Sequence, residues 1–371
     1  MKRFVCGLVV ITAAALTLAA PAQARATRAV TLHAPGFGYA GGSVLVTGRV
    51  ADRARLVRIE RYRAGRWAVL RTVRTHAGAY RVRLHAAVGV TTLRARVGVH
   101  ASAARTVRVV RPPSDACGSR PVKADGSLWS CTFDDEFNGT TLDRSKWAVQ
   151  TDFASGTQAT HACYVDDPSV IDESGGALNL SVRHVDTPVD CTFANLSGAT
   201  NYVAGSVMTY GLFSQQYGRY QARIRNTASS APGLQETFWL WPDQQAAIAA
   251  GATTLPPTGE IDVAETYSQY PSLVIPFLHY NAMGPVPGTN TAWNCYAPRG
   301  SWNTYTLTWS ANRIQIDVNG STCLVNTTGD PAFAQRYFLV LTQLLGTGAN
   351  AYTGSSPLPA TLSVDYVRVW K

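Results

Sequence analysis

Short alternations of apolar and polar residues fill the chain, and nowhere does a long helical period take over. The runs "SVLVTGRV", "ARLVRIERYR", "WAVLRTVRT", "YRVRLHA", "TLRARVGVH" and "RTVRVVR" come first, parted by Gly-rich turns. Because successive strand side chains point to opposite faces, each such run predicts a strand with one face on a core. Together they predict a small antiparallel sandwich over residues 25–111. A longer series follows: "ALNLSVRH", "YGRYQARIR", "ETFWLWP", "LVIPFLHY", "NTYTLTWS", "RIQIDVNG", "RYFLVLTQLL" and "LSVDYVRVW". These strands, parted by Gly, Pro and Asn turns, predict an all-β, two-sheet sandwich or jelly roll over residues 128–371. Between the two series "RPPSDACGSRPVKADG" is rich in Pro, Gly, Ser and Asp, which reads as a linker over residues 112–127.

The first residues change the expected compartment. Lys2 and Arg3 precede an apolar run that ends in Ala22-Gln23-Ala24, the pattern of a secretory signal peptide over residues 1–24, cut before Arg25. No later apolar run is long enough to span a membrane, so the mature chain is expected to be secreted, extracellular and monomeric. Beyond the leader stand Cys117, Cys131, Cys163, Cys191, Cys295 and Cys323, an even number in an oxidising setting, so disulfides are expected. Sequence order favours neighbours: Cys117 with Cys131, Cys163 with Cys191, Cys295 with Cys323. Connectivity is not fixed by spacing alone.

Charge divides the chain at the linker. Residues 25–111 hold eighteen arginines and no lysine against Asp52 and Glu60, a net +16, while residues 112–371 carry a net −8. Arginine at every second position reads first as a solvated face, and second as a surface for an anionic cell-wall polymer or acidic polysaccharide. Nucleic acid fits poorly, because few aromatic side chains, Tyr62, Trp67 and Tyr80 among them, are there to stack on bases.

The candidate chemistry lies in "GEIDVAE", where Glu260, Asp262 and Glu265 occupy one apolar run. In a regular strand Glu260 and Asp262 share a face and Glu265 points away. One extra residue at Val263 or Ala264, a β-bulge, brings Glu265 back beside the other two and leaves Ile261 on the core side. On the neighbouring run Trp239 and Trp241 share a face by alternation, and indole is a stacking surface for a sugar ring.

With these blocks in order, the region 128–371 resembles glycoside hydrolase family 16, the laminarinase-like enzymes. The similarity rests on "FDDEFNGTTLDRSKW", "YGRYQARIR", "FWLWP", "GEIDVAE" and "LSVDYVRVW". The bulged E-x-D-x-x-E spacing is similar to the laminarinase and agarase subgroup, and the basic region resembles Ig-like modules attached to secreted bacterial enzymes. The resemblance implies a concanavalin-like jelly roll and a retaining β-glycosidase. It assigns Glu260 as nucleophile, Glu265 as acid/base and Asp262 as the residue that tunes their protonation, with Trp239, Trp241, His279 and Gln343 as sugar contacts. It further implies a structural Ca²⁺ held by Glu136, Gly176 and Asp365, and no cofactor for catalysis. Two departures, Leu234-Gln235-Glu236 for W-P-A and Ser206 for arginine, are expected near the cleft. The implied polysaccharide substrate is a β-1,3-glucan first and a β-galactan second. Transglycosylation and a non-catalytic lectin-like role are the alternatives.

Overall fold

Valine, isoleucine, threonine and aromatic residues dominate the alternating runs, and their branched or flat side chains pack well on a pleated surface. The computed structural model describes residues 30–50, 56–249 and 257–371, so the leader expected over residues 1–24 lies outside the described residues. The strands fall into two compact units divided between Arg111 and Pro112.

In the first unit a sheet runs in the order Phe37–Tyr39, Arg105–Val110, Gly89–Val97, Leu56–Arg63, Arg66–Arg74, and the pair Ser43–Arg49 with Ala79–His85 forms a second sheet. Between them lie Val44, Val46, Val57, Ile59, Leu84, Leu93, Ala95 and Val107. Gly48 is needed for close approach: a Cβ there would sit 2.0 Å from the carbonyl oxygen of Thr31.

The second unit packs an eleven-stranded sheet against a seven-stranded one. The smaller sheet is antiparallel in the order Ala148–Val149, Ser206–Met208, Tyr337–Leu345, Leu234–Pro242, Glu260–Tyr267, Leu273–His279, Cys295–Tyr296. Its inner face contributes Phe238, Leu240, Ile261, Val263, Leu339 and Leu341 to the core, opposite Leu178, Leu180, Tyr220, Val364 and Val367. Its other face is therefore free to carry a site. All three neighbouring cysteine pairs are joined as disulfides.

The segment 112–127, expected as a linker, is instead folded onto the second unit. Ser114–Asp115 pairs with Gly118–Ser119, Cys117 is fully buried and joined to Cys131, and Arg120 Nε donates to the carbonyl of Trp129 at 2.8 Å. A half-cystine and an anchored arginine outweigh the turn-forming composition of this stretch.

Candidate active site

A cavity of about 790 Å³ opens on the outer face of the seven-stranded sheet, and Glu260, Asp262 and Glu265 all line it. The bulge that makes this possible is present. Asp262 lies opposite Phe277 and Glu265 opposite Ile275, three residues against two, and on the other side Ala264 and Asp262 face Phe238 and Trp239. Ile261, Val263 and Ala264 are buried, as the phase change requires. Gly259 admits the strand to this position, since a Cβ there would lie 2.9 Å from Tyr337 Oη.

Burial sets the electrostatics. Loss of water pushes the Glu260 carboxyl up to about 8, with Asp262 and Glu265 adding to the rise and His279 partly offsetting it. Burial and then the Glu265 charge hold Asp262 well above the ordinary aspartate range. Glu265 is also raised, by burial, against the opposing effect of its hydrogen bonds. Its Oε1 accepts from Tyr267 Oη at 3.0 Å and from Gln235 Nε2 at 3.1 Å. The three acids share too little solvent to ionise together, so they titrate as a coupled set.

His279 Nε2 stands 3.1 Å from Asp262 Oδ2, and the Glu260 and Asp262 carboxyls and the His279 ring all have atoms within 4.8 Å of one another. The histidine approach is close but poorly directed, and Asp262 Oδ2 has no hydrogen-bond donor. Asp262 is fully buried whereas Glu260 is only partly so, and a charge is cheaper on the more solvated group. The two carboxyls therefore do not ionise independently, and each is held above its ordinary range by burial and by its neighbours.

Trp239 and Trp241 face the cavity as alternation predicts, their rings 5.9 Å apart and nearly perpendicular, and Trp239 Nε1 donates to Thr342 Oγ1 at 3.1 Å. Gln343 does not join them. It is fully buried on the opposite face, its Nε2 directed at Glu236 Oε1 and the Gln235 carbonyl, each at 3.3 Å, so the expected sugar contact is corrected to a core role. The strand Tyr337–Leu345 sends Phe338, Val340, Thr342 and Leu344 to the cavity instead.

The two departures from the expected pattern also separate by phase. Gln235 enters the cavity and holds Glu265, while Glu236 points inward and forms a buried two-pronged pair with Arg299 at 2.6 and 2.7 Å. Ser206 is fully buried, donating to Gln150 Oε1 at 3.0 Å behind the cavity wall. The calcium set does not fit. Glu136 is clasped by Arg368 at 2.6 and 2.7 Å, and Asp365 Oδ2 accepts from Arg223 at 2.7 Å, so each carboxylate already has a cationic partner. Gly176 lies in the turn before the strand Ala177–Phe193, at a φ of 73°.

Sequence reasoning missed Tyr267 and the aromatic wall made by Phe153 and Phe193, whose centroids are 4.7 Å apart at the cavity. Tyr267 had a signal: it stands two residues after Glu265, on the same strand face.

Comparison with known proteins bears on the family and the fold. The profile of the glycosyl hydrolases family 16 matches residues 158–355. A glucan endo-1,3-beta-glucosidase A1 of Niallia circulans is 26% identical over an alignment of 274 residues that covers 64% of this chain and 37% of that protein. A keratan-sulfate endo-1,4-beta-galactosidase of Sphingobacterium multivorum is 27% identical over 252 residues, 66% of this chain and 54% of that protein. The chain thus spans about a third to a half of the length of these relatives. Among solved structures, the laminarinase of Rhodothermus marinus shares the fold with a TM-score of 0.52 and 24% identity, over 66% of this chain and 97% of that one. The laminarinase of Flavobacterium sp. UMI-01 does so with a TM-score of 0.52 and 18% identity, over 65% of this chain and all of that one.

Proposed function

The chain belongs to glycosyl hydrolase family 16, and from that premise we propose that its second unit is a retaining endo-β-glycanase acting on a neutral polysaccharide, a β-1,3-glucan first and a β-galactan second. The observation that carries the reading is the bulge that turns Glu260, Asp262 and Glu265 into one cavity beside Trp239 and Trp241. A β-1,3-glucan linkage occurs in the name of one relative, and a β-galactosidic linkage, there in a sulfated glycan, in that of another. No lysine or arginine lines the cavity among the described residues, which favours an uncharged chain.

In this mechanism Glu260 attacks the anomeric carbon while Glu265 gives its proton to the departing glycosidic oxygen. A glycosyl ester on Glu260 results. Glu265, now a carboxylate, takes a proton from water, and the hydroxide equivalent displaces Glu260 with net retention. Tyr267 and Gln235 both donate to Oε1 of Glu265, which aims Oε2 as the proton-carrying atom. Burial and mutual repulsion raise all three carboxyls, so the coupled set keeps a proton for Glu265 to give while Glu260 attacks as the anion. The tryptophans offer stacking surfaces to the sugar rings. The expected leader and the three disulfides support export of the enzyme.

Reducing-end release from laminarin, mixed-linkage glucan, agarose and β-galactan tests this reading. Wild type should cut at least one polymer, and Glu260→Gln and Glu265→Gln should each lose at least about a thousandfold in kcat/KM. Binding without cleavage across the panel would replace the hydrolase with a lectin-like reading. Products longer than the substrate would place transglycosylation beside hydrolysis.

A further inference from the structure

The first unit has no part in the chemistry above, yet its larger sheet carries an organised face of arginine and aromatic side chains. Alternation puts Val57, Ile59, Leu93, Ala95, Val107 and Val109 on the core, so the residues between them share the opposite, open face. Register then places these side chains in rows. Tyr62 stands between Trp67 and Thr92, Glu60 beside Arg94, and Arg58 directly opposite Arg96, with Arg108 opposite Val90.

The centre of this face is built. Glu60 is the only acid among the described residues of the unit, and although it lies on the open face it is 5% exposed. Arg94 Nε covers it at 2.7 Å, and Arg96 Nη1 lies 3.9 Å away. The same Arg94 guanidinium sits 4.1 Å over the Trp67 ring, which packs 5.2 Å from the ring of Tyr62. Glu60 is thus spent on fixing Arg94, and Arg94 fixes an aromatic shelf whose outer edge, Tyr62, is 49% exposed.

Around the shelf the charge is uncompensated. Arg58 and Arg108 are exposed and have no acidic partner among the described residues. Like charges directly opposite in a sheet are destabilising, so the Arg58–Arg96 pairing is an unfavourable arrangement that a bound anion would relieve. The unit uses arginine to the exclusion of lysine, and a guanidinium presents a planar fork that matches a carboxylate in two-pronged fashion.

We propose that this face binds an acidic polysaccharide, a chain of pyranose rings bearing carboxylates, with a ring stacked on Tyr62 and Trp67 and its carboxylates taken by Arg58, Arg96 and Arg108. The shelf selects the ligand class. A polyphosphate supplies charge but no ring face for Tyr62, and a neutral glucan supplies the ring but nothing for the arginines. Binding here is separate from cleavage in the second unit, so the full chain would hold an acidic matrix while its cleft acts on a neutral one.

The test is titration of the full-length protein with polygalacturonate, laminarin, inorganic polyphosphate and a single-stranded oligonucleotide at about 50 mM and about 200 mM salt. Polygalacturonate should bind most tightly and weaken with salt. Tyr62→Ala, and the double variant Arg58→Ala/Arg108→Ala, should each weaken it about tenfold, the loss of one stacking contact or one pair of charge-assisted contacts. Arg81→Ala, an exposed arginine on the other sheet, should leave it unchanged. Unaltered thermal melts would show that the variants fold. Equal weakening by Arg81→Ala, tighter binding of polyphosphate or oligonucleotide, or no polygalacturonate binding at the lower salt would each overturn the proposal. Release of reducing ends from the polymer panel reads the cleft independently of all these outcomes.

Discussion

A carboxylate oxygen buried with no donor aimed at it is costly to ionise and acts strongly on its neighbours when it does, and Asp262 Oδ2 is such an atom. That makes Asp262 the partner on which the charge of Glu260 depends. Asp262→Asn removes one member of the coupled set and its contribution to raising Glu260. The acidic limb of kcat/KM should accordingly move to lower pH, and a limb that stays in place would show that the two groups are not coupled. Stability runs the other way from activity. Because the folded-state pKa of Glu260 is raised from 4.5 to about 8, its favourable contribution is complete below the unfolded value and is lost as pH rises through the folded one. Glu260→Gln removes that loss, so it should raise the melting temperature at about pH 8.5 by ~3–6 °C, about 1–2 kcal/mol for a domain of this size, and leave it nearly unchanged near pH 4. A melting curve with the opposite pH trend would contradict the burial argument. These residues were legible in the sequence because three acids at that spacing in an apolar run are costly unless a bulge and a cleft give them a use. How far each is raised was not, since that depends on burial, on His279 and on the donors to Glu265.

Strand phase decided which of the other expected contacts reached the cleft. Trp239 and Trp241 were predictable because the run Leu234–Pro242 alternates with a clear polar set, Gln235 and Thr237. Gln343 was not, because Tyr337–Leu345 is buried along nearly its whole length and apolar on both faces, leaving no alternation to fix its phase. Phe193 was out of reach for a different reason: it ends the 17-residue strand Ala177–Phe193, and the Cys163–Cys191 disulfide and the pairing with Leu196–Ala204, both distant in the pattern, help bring that end to the cleft. Phe193→Ala should raise KM for a polymeric substrate about 5–10-fold with kcat within about twofold, as expected for loss of one aromatic contact made equally in ground and transition states. A fall in kcat at constant KM would instead tie the hairpin to the reacting sugar. The segment 112–127 misled by composition: its Pro and Gly mark turns, but Cys117 is the residue that places it on the second unit.

For the molecule as a whole, the alternating pattern predicted an all-β chain with two series of strands, and the charge boundary near residue 111 coincides with the division between units. The basic series and the acidic series have separate cores, each closed by its own strands. What the pattern could not supply was the pairing order of strands distant in sequence, such as Ser206–Met208 beside Tyr337–Leu345, which shapes the cleft. The buried Glu236–Arg299 pair belongs to the same class of unforeseen feature, a fully bonded ion pair inside the second unit where the sequence shows only two unrelated residues. The central claim is that the cleft works through a glycosyl ester on Glu260. It is tested most directly by incubating the protein with the activated 2-deoxy-2-fluoro glycoside of the polymer it cuts and mapping the labelled peptide by mass spectrometry. One fluoroglycosyl group on Glu260, absent in Glu260→Gln, is the predicted result. Turnover of the natural polymer with a label on Glu265, or with inversion at the anomeric carbon, would contradict it.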